Sequence, residues 1–275
     1  MDHLRTKVLV CYLAYEPLGT SHLKNFIKGY KKFYSGYNHE LLICFKKFKN
    51  EDIIKKWSKE IKVKFTKYVD KETKNDFDIG SYYRIAKKYN NRHILFLNSY
   101  TRPNVKNWLK IFMRHYEKKS VIGAFGTYLS LSSLFLNFHW SNYSKFQQFR
   151  WGIKYLFKFK LFPNPHLRTS GFLIYGKDFL NIKLNKNKLI YKIENNYFES
   201  GRNGFSSQLI KKGFKLKIVN SNNISFEIKD WVKSNTFCLG NQNNLIFVDK
   251  RSDFYSKASK SDKKKIRYSN WGTLI

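Results

Sequence analysis

Short apolar runs alternate along the first half of the chain with segments whose apolar residues recur every three or four positions. Val8–Leu13 and Leu41–Phe45 are uninterrupted, which predicts strands buried on both faces. Between them Leu23, Phe26, Ile27, Tyr30 and Phe33 fall at helical spacing behind Thr20 or Ser21, either of which can cap a helix. Glu51–Glu60 reads as a second helix, and the alternation over Ile61–Phe65 reads as a third strand. A helix over Ser81–Tyr89, entered through Asp76–Gly80, leads to a fourth strand over His93–Asn98. Pro103 then starts a helix with Val105, Trp108, Leu109 and Phe112 on one side, and Ser120–Phe125 is a fifth strand.

Strand and helix taking turns predict a mostly parallel sheet covered on both faces by helices. Such sheets bind ligands beyond the carboxyl ends of their strands. Attention therefore goes to Tyr15-Glu16-Pro17, Lys46-Lys47-Phe48, Asn98–Arg102 and Gly126-Thr127-Tyr128. The second half is less regular. Phe146–Phe162 interleaves aromatic and basic residues, and reads first as a core helix with solvated lysines. Lying on an anionic membrane is its other reading. His166–Tyr175 and Phe214–Val219 read as strands, Phe205–Lys212 as a short helix closed by Gly213. Beyond Asn220 come strand-like pieces, Ser225–Ile228 and Leu245–Val248, and a soluble basic end, Lys257–Lys265. With no repeat and no linker, the expected organisation is one catalytic domain over 1–220 and an extension over 221–275 packed on it.

Composition adds a constraint. Of 275 residues 42% are apolar, enough for a sizeable core and against wholesale disorder. Lys and Arg number 53 against 19 Asp and Glu, a formal charge of +34. The lysines are dispersed rather than gathered in a stripe, so they forecast attraction to polyanions in general and no specific nucleic acid. Cys11, Cys44 and Cys238 are too few and too scattered for a disulfide framework or a zinc site, which fits a reducing, cytoplasmic setting. No run approaches the roughly 20 apolar residues of a membrane span. Val8–Ala14 precedes Glu16-Pro17 without a small-residue cleavage pattern, so it reads as a strand and not as a leader.

Five segments then stand in a telling order: Tyr15-Glu16-Pro17-Leu18-Gly19; Phe77-Asp78-Ile79-Gly80; Phe96-Leu97-Asn98-Ser99 with Arg102-Pro103 and Trp108-Leu109; Phe162–Thr169; and Phe198-Glu199-Ser200-Gly201-Arg202. Trp231, Ser234, Thr236-Phe237, Asp249, Arg251 and Tyr255 continue it. Together they resemble bacterial family-2-like glycosyltransferases with the GT-A fold, over nearly the whole chain. The resemblance implies an α/β, GT-A-like three-layer α/β/α sandwich with a mostly parallel central sheet. It implies transfer of a sugar from a nucleotide-diphosphate donor to a glycan or lipid-linked acceptor, in surface polysaccharide synthesis, and peripheral contact with the inner face of an anionic membrane. Two departures stand out. The usual Asp-x-Asp position reads Asn98-Ser99-Tyr100, and Lys46-Lys47 replaces an acidic residue. They leave open the need for Mn²⁺ or Mg²⁺ and the identity of the donor base.

Sugar transfer places negative charge on a departing diphosphate, which a metal, cations or helix N-termini can stabilise. Lacking Asp-x-Asp, the chain offers Arg102, Arg168 and Lys46, although among 53 basic residues any single one is ordinarily a solvated charge. An inverting transfer also needs a base for the acceptor hydroxyl. Glu199 is the expected one; an ordinary carboxylate favoured at a helix N-terminus is the alternative. His166 is placed with Arg168 as a catalytic contact to donor phosphate or acceptor, beside Thr169. Glu16, Asp78, Asn98 and Arg202 complete the expected donor contacts, with turn-forming and helix-capping roles as their plainer readings. No P-loop, Gly-x-Gly-x-x-Gly, His-Glu-x-x-His or nucleophile elbow is present. The competing classes are a basic nucleic-acid-binding protein and an inactive glycosyltransferase-like protein.

Overall fold

The computed structural model describes residues 7–137, 143–185 and 189–272. In chain order its first half runs β1 (Val8–Tyr15), α1 (Ser21–Lys32), β2 (His39–Lys46), α2 (Glu51–Glu60), β3 (Thr66–Asp70), α3 (Phe77–Lys88), β4 (His93–Leu97), β5 (Arg102–Pro103), α4 (Trp108–His115), β6 (Ser120–Gly123) and β7 (Gly126–Thr127). The second half runs α5 (Leu131–Leu136), α6 (Lys145–Leu156), β8 (His166–Leu167), β9 (Gly171–Tyr175), α7 (Gly176–Leu180), α8 (Lys192–Ser200), α9 (Phe205–Lys211), β10 (Lys215–Val219), β11 (Ser225–Glu227), β12 (Phe247–Val248), α10 (Lys250–Lys257) and α11 (Lys260–Trp271).

Eight strands form one sheet in the order β11-β10-β6-β9-β4-β1-β2-β3. Only β9 and β11 pair antiparallel to their neighbours. Successive residues of β1 divide between two cores. Val8, Val10, Tyr12 and Ala14 pack with Phe26, Trp108 and Phe112 on one face. Leu9, Cys11 and Leu13 pack with Ile79, Tyr82 and Leu209 on the other. This two-sided burial is the reason the strand has no polar alternation, and it makes the expected three layers.

Three local expectations need correction. Residues 61–65 are a connection, and β3 begins only at Thr66, which pairs with Leu42. The apolar alternation there marks Ile61, Val63 and Phe65 packing into the core rather than a ladder. Pro103 opens no helix. It pairs with Phe247 in a two-stranded ribbon, and α4 starts after Asn107, whose left-handed φ of 60° breaks the chain direction. The single strand expected over His166–Tyr175 is interrupted. β8 pairs with β7 while β9 joins the main sheet, and Arg168–Ser170 is released between them. The basic end over 257–265 is largely exposed, as expected, and helical; beside it Tyr255 of α10 and Trp271 of α11 are buried, and the Trp271 indole donates to the Phe237 carbonyl at 2.9 Å.

Residues beyond 220 are fastened to the sheet by close packing. A Cβ on Gly126 would lie 2.7 Å from the Trp231 ring and 3.0 Å from Ile218. Gly126→Ala should therefore overpack a buried contact and lower stability by about 1–3 kcal/mol in urea unfolding, with an unchanged m-value. A neutral effect would mean that Trp231 moves freely.

Candidate active site

The C-terminal ends of β1 and β4 meet where the crossovers on either side of β1 diverge, so the chain leaves a crevice there. The loop after β4 is locked into its floor. The Tyr12 hydroxyl donates to the Ser99 carbonyl at 2.7 Å, and Ser99 Oγ donates to the Leu13 carbonyl at 2.7 Å. Asn98 Oδ1 accepts from the Tyr100 amide and from Thr101 Oγ1. Ser99 thus faces inward, and Asn98 is left to meet Asp78 with its side-chain amide.

Two adjoining hollows of about 590 and 140 Å³ open above this floor and share Phe77, Asp78, Asn98, Arg168 and Lys192 in their walls. The larger adds Tyr15, Tyr100, Asp249, Lys250 and Arg251; the smaller adds Thr169 and Glu199. A more open hollow of about 940 Å³, lined by Lys183, Gln208, Lys211 and Lys212, has no acidic group in its wall and lies away from the strand ends.

Glu199 sits in the last turn of α8. There the macrodipole opposes a carboxylate, so the plainer helix-N-terminus reading is overturned. What holds the charge is local. Oε2 pairs with Arg168 Nη1 at 3.0 Å, and Oε1 accepts from the Thr169 amide at 2.7 Å and from its hydroxyl at 3.2 Å. Burial pushes this carboxyl up, but the Arg168 guanidinium and the Thr169 hydrogen bonds outweigh burial and hold it below the usual range. Asp78 goes the other way: burial raises it, against the pull of Lys46, Lys192 and Asn98. Two neighbouring carboxyls are thereby set apart, one held ionised and one drawn toward its proton.

The cations come from three elements. Arg168 lies in the break between β8 and β9, its guanidinium 5.8 Å from the Phe237 ring centre and its Nε without a hydrogen-bond partner among the described residues. Lys192 opens α8, above the Phe77 ring. Lys250 and Arg251 stand in the first turn of α10, where Asp249 caps the helix by accepting from the Ser252 amide at 2.8 Å. Burial and the nearby Arg168 lower the Arg251 pKa. Positive side chains at a positive helix end are unfavourable in isolation. Gathered around one hollow, they make a seat for an anion.

Of the residues expected from sequence, the hollows bring together Glu199, Arg168, Thr169, Asp78 and Asn98. Five others are elsewhere. Lys46 is 1% exposed and pairs with Asp76 and the Phe77 carbonyl, with Ser81 Oγ at 3.0 Å, while Arg84 bridges Asp70 and Asp76. It ties down the turn into α3, including Phe77 at φ 50°, and thereby aims Asp78 into the crevice. Arg102 makes a two-pronged contact with Asp253 at 2.8 Å, stapling β5 to α10. Glu16 accepts from the Lys49 amide at 2.7 Å and stays outside the hollows. Arg202 donates to the Leu156 carbonyl at 2.8 Å and fastens α6. His166 is 1% exposed behind Glu199, its Nδ1 against the Asn164 carbonyl at 2.8 Å. Its neighbour Arg168 and, first, its burial lower its pKa to about 4, so it is neutral.

Lys192 and Lys250 were not foreseen, and Asp249 and Arg251 entered only as part of the resemblance. A cap followed at once by two cations was the available signal. Among the described residues no group of three or more His, Cys, Asp or Glu is close enough to hold a metal ion. The residues at the Asp-x-Asp position do not fit one either, since Ser99 points inward and Asn98 Oδ1 is already engaged.

No family model matches the chain, and no curated protein matches it. Solved structures are similar only distantly. The mannosyltransferase Ktr4p of S. cerevisiae is 13% identical over 72% of this chain, with a TM-score of 0.37, and the chain spans 63% of its length. A 4-diphosphocytidyl-2C-methyl-D-erythritol synthase of Anaerococcus prevotii is 12% identical, with 86% of this chain and 97% of that one covered at a TM-score of 0.45. The glycosyltransferase GlyE of Streptococcus pneumoniae is 12% identical, with 96% and 64% covered at 0.44.

The neutral, buried His166 has a measurable consequence. Its folded pKa lies below the unfolded value of 6.5, so the unfolded chain takes up the proton first. Stability should fall as pH drops from 6.5 toward 4, with His166 contributing on the order of 3 kcal/mol of that loss. His166→Asn, which keeps a donor for Asn164, should flatten the fall in melting temperature over this window. An unchanged pH dependence would show that His166 titrates normally.

Proposed function

We propose that this chain transfers a sugar from a nucleotide-diphosphate donor to a hydroxyl of a glycan or lipid-linked acceptor. The observation that carries the reading is the joining, in one crevice at the strand ends, of Arg168, Lys192, Lys250 and Arg251 with the ionised Glu199. Four cations suit the two phosphates of a donor, and the aromatic wall of Tyr15, Phe77 and Tyr100 suits a nucleobase.

In an inverting transfer the acceptor oxygen attacks the anomeric carbon while the bond from that carbon to the diphosphate oxygen breaks. The electron pair leaves with the diphosphate, where Arg168 and its neighbours meet the growing charge. The acceptor proton passes to Glu199. Thr169 and Arg168 hold that carboxylate in place, and His166 supports it from behind. Lys46 is a positioning residue, acting through the turn that carries Asp78. Residues 1–220 would form the catalytic domain, with 221–275 completing its donor wall through Asp249, Lys250 and Arg251.

The setting we propose is surface polysaccharide synthesis in the cytoplasm, at the inner face of the membrane. Three free, buried cysteines support a reducing compartment. Among the described residues no helix is long and apolar enough to cross a membrane.

A panel of nucleotide-sugars, each with and without Mn²⁺ or Mg²⁺, tests the reading by thermal shift. One donor should stabilise the protein, by about 2.7 kcal/mol at a hundredfold excess over its Kd, equally with and without metal. Glu199→Gln should keep that shift and lose about 10²–10⁴-fold in release of nucleoside diphosphate with acceptor present. Absence of stabilisation by any nucleotide-sugar, or undiminished turnover of the variant, would overturn the proposal.

A further inference from the structure

α6 has an inward apolar face that is buried and an outward one that is largely exposed. Gln148, Gly152 and Tyr155 are buried on the inward stripe. Gly152 there presses on Leu136 of α5, where a Cβ would come within 2.7 Å of the Leu136 side chain. On the opposite side Phe146, Phe149, Ile153 and Phe157 recur at helical spacing. They are 74%, 50%, 41% and 82% exposed. Arg150 and Lys154 flank this stripe, and both are exposed. Between Glu117 and Asp178 the chain contains no Asp or Glu, so α6 itself carries basic charge only.

We infer that this face of α6 is a docking surface for an anionic lipid bilayer. Aromatic side chains on one helical stripe enter the interfacial region of a membrane, and flanking Lys and Arg stay at the phosphate level, their stems along the apolar surface. The pairing of both features excludes the ordinary explanation of scattered surface apolars. Single-stranded nucleic acid fits less well. It is held in a basic groove that tracks its backbone, and these four side chains line none of the hollows described above. A second copy of the chain would bring a second set of cations to the same face.

The surface is mechanically joined to the crevice. Just beyond α6, Phe159 forms a backbone bridge with Gly201, and Lys158 pairs with Glu194. The Arg202 amide donates to the Lys158 carbonyl at 2.8 Å. The segment that meets the bilayer is thus fixed to α8, which carries Lys192 and Glu199. Lipid binding itself does not depend on the sugar-transfer reading.

The whole chain is sedimented with vesicles of phosphatidylglycerol and phosphatidylcholine, and with phosphatidylcholine alone. Because any protein this basic is drawn to anionic vesicles, the comparison between variants decides. Phe146→Ser/Phe149→Ser/Phe157→Ser should weaken binding to the anionic vesicles by about tenfold or more, with an unchanged melting temperature. Tyr34→Ser/Ile224→Ser, which removes exposed apolars elsewhere, should bind as wild type. Arg150→Glu/Lys154→Glu should weaken binding most at low salt. Equal binding by the aromatic variant and the wild type would overturn the inference. So would loss of single-stranded RNA binding with vesicle binding intact, or a wild-type dimer that the aromatic variant turns into a monomer. Should the aromatic variant unfold, Arg150→Glu/Lys154→Glu decides, and wild-type affinity there at low salt would also overturn it.

Discussion

A strand that is apolar on both sides has to be covered twice. β1 imposes that demand at the centre of the sheet, and β4 beside it repeats it with Leu95 and Leu97 on one face and Ile94 and Phe96 on the other. Helices on both faces, parallel neighbours and long crossovers follow. So does the position of the crevice. The only groups that a strand buried in this way can offer to a ligand are those just past its carboxyl end. Tyr12 and Ser99 lock the two central strand ends to each other across that boundary, which gives the crevice a rigid floor.

Around that floor the scarce acidic residues are distributed with economy. Asp70 and Asp76 neutralise Lys46 and Arg84 within the protein, Asp253 holds Arg102, Asp249 caps α10, and Glu199 faces Arg168. Each of these pairs a carboxylate with a group that would otherwise leave the chain badly placed. In the buried Lys46 cluster both charges lose their water. Its return is geometric: it holds the turn at Phe77, whose positive φ costs about 1–2 kcal/mol and which carries Asp78 into the crevice.

The central layers were readable because buried parallel strands write themselves as apolar runs. Val8–Leu13 and Leu41–Phe45 could hardly be anything else. Errors arose where an apolar residue is buried without belonging to the element its spacing suggests. Ile61 and Val63 fill the core from a connection, and Trp108 does so from a helix that starts later than Pro103 implied. Among the residues that line the hollows, Glu199, Arg168 and Asp78 were within reach of the sequence because the resemblance pointed to them. The exclusion of Lys46 and Arg102 could not be foreseen. Their partners, Asp76 and Asp253, are set by tertiary packing, and one partner is 151 residues away in sequence. Equally hidden was the exposure of Phe146 and Phe157, because a helix with apolar residues all round looks the same on paper whether it is enclosed or bare.

The wall of the larger hollow is assembled from segments far apart in the chain. Asn98 belongs to the loop after β4, while Lys250 and Arg251 come from α10, yet all three stand in one wall. A chain that stopped just short of α10 would therefore lack two of the cations of this wall and the Trp271 indole that bonds to the Phe237 carbonyl.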